Sequence, residues 1–133
     1  MKINTKYDTK KSVKIIFTVL IFVGFLLTVG RWHSVFNNKF VVITAAINSH
    51  ISNFSFSLIS YTGIGYFWLL CGVKFRFIMF LGVFMIFANF VCESPLMAFM
   101  NTPDIVDAVY GTVGIAVSFV FLLVTNKQGL IPK

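Results

Sequence analysis

The chain has 133 residues, of which 58% are apolar and only 11% charged, with 17 phenylalanines and a formal net charge of +7. A soluble domain carries about 25% charged residues, so this composition cannot coat a water-soluble globule; it leaves one small integral membrane domain over residues 1–133 whose surface meets lipid. Basic runs interleaved with aromatics are absent, which excludes a nucleic-acid reader, and the lysines instead suit the cytoplasmic edge of a membrane protein.

Residues 1–14, MKINTKYDTKKSVK, read as a polar, basic cytoplasmic tail. The run IIFTVLIFVGFLLTVG that follows lacks a small-x-small cleavage signature, which favours a first transmembrane helix over a signal peptide. That span covers about 15–32 and ends on the interfacial pair Arg31 and Trp32. The apolar stretch 41–48 is too short to cross, since a span needs about 20 residues. Residues 40–50 are therefore expected to form an interfacial helix or the lead-in to a second span over 51–72, which closes on Tyr66, Phe67 and Trp68. VKFR turns the chain into a third span, 76–94; SPLMAFMNTP leads to a fourth, 104–126; KQGLIPK is a polar tail. The predicted fold is thus an all-α four-transmembrane-helix bundle.

Orientation follows from the basic residues. With four spans, one side holds Lys2, Lys6, Lys10, Lys11, Lys14, Lys74, Arg76, Lys127 and Lys133, and the other only Arg31 and Lys39. The richer side faces the cytoplasm, which places both termini there, as in a bacterial inner-membrane protein. Cys71 and Cys92 then lie at opposite faces, about 25–30 Å apart by helix rise. A disulfide needs alpha carbons within about 7 Å, so both thiols are expected to be unpaired.

The chain has only four acidic residues, and Glu93, Asp104 and Asp107 fall close together at the predicted outer face. On a helical wheel, span 4 gathers Asp104, Asp107, Gly111, Gly114, Ser118 and Thr125 on one stripe, opposite Val, Ile and Phe. Small residues let a second backbone approach, so Gly111, Gly114 and Ser118 are candidate helix-packing positions. Span 3 carries Gly82, Asn89 and Glu93 on one face, and span 2 carries His50, Asn53, Ser57 and Ser60. If the three stripes meet, His50, Asn53, Asn89, Glu93, Asp104 and Asp107 line an outward-opening acidic pocket. Thr102, Pro103 and Asp104 also read as a helix start, with Thr102 as N-cap, and acids in a first turn are favoured by the helix dipole. An acid ending an apolar span needs a partner; for Glu93 the candidates are Arg31 and His50. The serines stand without a nucleophile elbow or a positioned base, and His50, Glu93 and Asp107 lack local metal-ligand spacing. A non-catalytic protein without metal or cofactor is expected.

From about residue 50 to 115 the chain resembles the VanZ-like family of small bacterial membrane proteins. The family pattern is roughly E…R-x-x-D-x-x-D-x-x-x-N-x-x-G, and Glu93, Asp104, Asp107, Gly111 and Gly114 stand in matching order. His50 matches the histidine that opens the family's preceding span. The arginine before the aspartates is absent here, Gly111 replaces the asparagine, and residues 94–97 read SPLM where the family has a glutamine. The resemblance implies a multi-span cell-envelope protein of a family whose founding member is linked to glycopeptide antibiotic resistance, with no reaction established.

Three functions fit these readings. The first is a VanZ-like protein whose outward acidic pocket binds an envelope component or drug-related ligand. The second is an accessory or immunity-type subunit against a larger membrane protein, in contact with membrane lipids or with further copies of itself. The third, a small oligomeric transporter, would call for broken helices or inverted repeats, which the sequence does not display.

Overall fold

The computed structural model describes residues 3–36, 44–93 and 104–133. Four long helices dominate: α1 (Lys11–Phe36), α2 (Ala45–Leu70), α3 (Phe75–Cys92) and α4 (Ile105–Val124). Two three-residue strands, β1 (Tyr7–Thr9) and β2 (Leu130–Pro132), pair antiparallel, and a π-helical turn (Thr125–Gly129) links α4 to β2. The stretches Lys11–His33, Phe75–Cys92 and Ile105–Gly129 are long and apolar enough to cross a membrane. Helix α2 is as long as α1, but the polar residues Asn48, Ser49, His50, Ser52, Asn53, Ser55, Ser57 and Ser60 keep it out of that set.

Those polar residues decide where α2 sits. It is the hub of the bundle, packed on α4, on α1 and, more lightly, on α3. Ser55, Ser57 and Thr62 are almost wholly buried, and each points at another helix. Ser55 accepts a hydrogen bond from Thr28 of α1 at 2.9 Å. Thr62 donates to Ser118 of α4 at 2.8 Å. Tyr61, fully buried, donates to the Ile78 carbonyl of α3 at 2.9 Å. Among the described residues, every buried side-chain nitrogen or oxygen has a hydrogen-bond partner. That is the condition for placing such groups in hydrocarbon, where an unsatisfied one costs several kcal/mol.

Helix α4 answers α2 with small residues. Its buried face runs through Ala108, Gly111, Gly114, Ile115, Ser118, Phe121 and Leu122, while Val106, Val109, Val113, Val117, Val120 and Val124 are exposed. A Cβ at Gly114 would collide with the Phe54 carbonyl of α2, so the two backbones touch there. One turn on, Ser118 lies 3.1 Å from the Leu58 carbonyl and 3.0 Å from the Gly114 carbonyl. The outer faces of α1 and α3 expose Phe22, Phe25, Phe80, Phe84 and Phe87, as helices in contact with lipid do.

The strands close one end. The Lys6 amide donates to the Leu70 carbonyl at 2.8 Å, and the Lys10 amide to the Gly129 carbonyl at 2.9 Å. Thr9 meets the Tyr66 hydroxyl at 2.6 Å, and Phe17 stacks on the Tyr66 ring at 4.1 Å. Gly72 turns α2 toward α3 at φ 80°, a left-handed conformation that glycine adopts without penalty. Both tails and the α2–α3 turn thus share one end of the bundle.

Several expectations change. The two tails, read as polar ends, carry the short β1–β2 pair beside the four helices. Of the two expectations for residues 40–50, the described part, 44–50, fits the lead-in: residues 45–50 are the opening turns of α2; residues 37–43 lie outside the described residues. Asp104, not Thr102, is the N-cap of α4: its Oδ1 accepts from the Val106 amide at 3.0 Å. Thr102 and Pro103 lie outside the described residues. Cys71 and Cys92 are both free.

Two expected outcomes follow. Gly114→Val should destabilise the bundle by about 1–3 kcal/mol through overpacking. Gly63→Ala, where an added Cβ meets nothing within 4 Å, should change stability by no more than about 0.5 kcal/mol; thermal unfolding in detergent compares the two. At the tail pair, the Lys14 ammonium, 2.8 Å from Asp8, and then the Thr9 amide hold the Asp8 carboxyl below its usual 3.8. A depressed acid stabilises the fold above its unfolded pKa and loses that contribution as pH falls through the lower folded value. Amide exchange at Thr9 and Lys10 should therefore be unchanged between pH 7 and 5 after correction for intrinsic rates, and should accelerate only below about pH 3.8.

Candidate functional site

At the end opposite the strands, three helix termini converge: the start of α2, the end of α3 and the start of α4. Helix α2 starts from its N-cap Thr44, whose side chain accepts from the Ile47 amide, and this sets His50 in its second turn. The α4 N-cap sets Asp107 one turn into that helix. The Gly114 and Ser118 contacts fix the separation of the two helices, and so bring the imidazole and the carboxylates together.

His50 Nδ1 lies 2.5 Å from Asp107 Oδ1 and 3.6 Å from Asp104 Oδ2. The His50 and Asp107 side chains are about one-fifth exposed, and that of Asp104 is 39% exposed. The His50–Asp107 contact is therefore shielded from solvent and short, whereas the Asp104 contact is looser and wetter, which makes the first the stronger. Glu93, the C-cap of α3, is buried at 6% exposure. Its Oε2 accepts from the Asp104 backbone amide at 3.2 Å. Asp104 is thus held twice, through its own amide and through its Oδ1 on Val106, while Oδ2 is left facing the imidazole. The α4 N-terminus adds its partial positive charge beside the carboxylates.

Asn89 sits one turn deeper. Its Nδ2 donates to Ser57 at 3.4 Å, and its amide group rests against Gly111, where a Cβ would come within 2.6 Å of it. Asn89 therefore joins α3 to both α2 and α4 beneath the cluster. Asn53 is half-buried, and its side chain joins none of the hydrogen bonds that link the cluster. His50, Asp104 and Asp107 thus form the centre, Glu93 braces it, Asn89 supports it from below, and Asn53 stands aside. His50 pairs with Asp107 rather than with Glu93.

Tyr110 completes the surroundings, with its ring 5.2 Å from the imidazole. It was not among the candidate residues, although its place three residues after Asp107 puts it on an adjoining face. Together with Ile47, Ile51, Phe54, Val109 and Val113 it lines an apolar groove of about 360 Å³ beside the cluster. The charged centre therefore has an apolar flank.

Chemically, the arrangement offers one imidazole nitrogen and two carboxylates, with one atom from each within 4.8 Å of the others. Such a set attracts a cation or accepts hydrogen bonds from hydroxyl or amine groups. No protein-family model, curated protein or solved structure matches the chain.

A double-mutant cycle tests the ranking within the site. His50→Ala with Asp107→Ala should show a coupling of about 1–3 kcal/mol in unfolding free energy, and His50→Ala with Asp104→Ala clearly less.

Proposed function

We propose that the chain is a four-span protein of the bacterial cytoplasmic membrane, VanZ-like in type, with both termini in the cytoplasm. Its acidic centre opens on the other side and binds a component of the cell envelope without transforming it. The observation that carries this reading is the convergence of His50, Asp104 and Asp107, braced by Glu93, at the end of the bundle opposite the strand-closed basic tails.

Charge segregation supports the orientation, since basic residues favour the cytoplasmic side. The length of α2 supports its role as a span beside the three apolar ones: 26 residues rise about 39 Å, more than the roughly 30 Å hydrocarbon core. Its buried Ser55, Ser57 and Thr62 face α1, α3 and α4, and the large side chains it exposes, Phe56, Ile64 and Phe67, are apolar. The non-catalytic reading draws on the bonding of the centre, where the imidazole is engaged by two carboxylates. The order Glu93, Asp104, Asp107, Gly111, Gly114 is the family resemblance, and all five residues lie along the contacts around the centre.

An accessory subunit of a larger membrane protein is the second reading. It draws on the phenylalanines that α3 exposes along one side, Phe77, Phe80, Phe84 and Phe87, spaced as a packing stripe for another helix.

Alanine at Glu93, Asp104 or Asp107, tested singly in the native host, separates these readings. The envelope-binding reading expects each variant to reach the membrane and to lose the parent's effect on envelope-drug susceptibility. Three variants as effective as the parent, with a stoichiometric larger protein copurifying in mild detergent, would favour the accessory reading instead.

A further inference from the structure

Resting on that reading of the site, we propose that His50, Asp104 and Asp107 bind a divalent cation of the zinc or manganese type. The donor set is one imidazole nitrogen and two carboxylate oxygens, drawn from two helices, with one atom from each within 4.8 Å of the others. Bonds of about 2.0–2.2 Å to a common tetrahedral ion place donors about 3.4 Å apart, so the more distant donors must close in and the His50–Asp107 pair, 2.5 Å apart, must open by about 1 Å to admit the ion. Nitrogen with carboxylate oxygen suits zinc or manganese, whereas calcium and magnesium take all-oxygen sets.

Charge balance points the same way. Asp104 and Asp107 share one imidazole, and among the described residues neither forms an ion pair with a lysine or arginine. Two carboxylates, a neutral imidazole and a dication sum to zero.

The outer contacts match a ligand set held in place from behind. Asp104 Oδ1 is fixed by the Val106 amide, and its backbone amide by Glu93, so Oδ2 is the free ligand atom. The α2–α4 seam at Gly114 and Ser118 keeps the donors together without drawing on the cluster itself. Orientation of metal ligands by such second contacts is the general rule.

The test is calorimetric titration of the purified full-length protein in lipid nanodiscs with zinc chloride, manganese chloride and magnesium chloride. One equivalent of zinc or manganese should bind, and magnesium should not. His50→Ala and Asp107→Asn should each weaken zinc binding by about a hundredfold or more, and Glu93→Gln by about tenfold, as loss of an outer support does. Absence of saturable binding by the parent, or unchanged affinity in both ligand variants, overturns the proposal. Should those variants not purify folded, zinc-edge absorption on the parent decides: a nitrogen and oxygen shell supports the site, and a sulfur shell, from Cys71 or Cys92, overturns it. Loss of drug-related function in the acid variants without metal binding overturns the metal site alone. Metal binding with fully functional acid variants overturns the envelope reading alone.

Discussion

The α2–α4 contact is the constraint from which the rest of the bundle follows. Helix α2 carries many hydroxyl and amide side chains, and it can bury them only where other helices take up those groups. Helix α4 provides this with Gly114, where the Phe54 carbonyl reaches its backbone, and with Ser118, which bonds to the Leu58 carbonyl and to Thr62. In lipid there is no hydrophobic force to push helices together, so close packing and interhelical hydrogen bonds must do so. Once α2 and α4 are fixed, Thr28 ties α1 to Ser55, Tyr61 ties α3 to α2 through the Ile78 carbonyl, and Asn89 of α3 reaches Ser57 of α2 and Gly111 of α4.

The same contact explains how carboxylates are tolerated at this end. Asp104 and Asp107 stand in the first turn of α4, where the unpaired backbone amides favour negative charge. Glu93 finds one of those amides directly. The lysines of the two tails and of the α2–α3 turn lie at the far end, about 30 Å away by the rise of α4. Along α4 the separation of charge follows helix direction, with Asp104 and Asp107 at its N-terminal end and Lys127 and Lys133 beyond its C-terminal one.

Much of this was legible in the sequence because membrane helices announce themselves by long apolar runs and regular spacing. The third span, expected over 76–94, is α3 at Phe75–Cys92, and the small-residue stripe of span 4 lies on the buried face of α4. The start of α2 was harder, since the apolar stretch 41–48 is too short to cross and reads equally as an interfacial helix or a lead-in; the Thr44 cap shows why the helix begins there. Thr28 and Ser55 gave no signal, because a single hydroxyl in an apolar run has no period. The strands were invisible for a different reason. Three residues carry no alternation to detect, and Tyr7 finds its partner Pro132 at the other end of the chain. At the site, side-chain spacing put Asp104 and Asp107 on one face, but the bond from the Asp104 amide to Glu93 belongs to the backbone, which a pattern of residue types does not display.

The pairing of Tyr7–Thr9 with Leu130–Pro132 sets an order of assembly. Translation proceeds from the amino end, so β1 emerges from the ribosome with no mate and stays single while every helix is made. Lys10 likewise waits for the Gly129 carbonyl. The four helices can pack one after another, but this end closes only after Leu130–Pro132 has been made. A product cut short before that strand would keep an open strand edge, the kind of unpaired backbone that quality-control proteases and neighbouring chains seize.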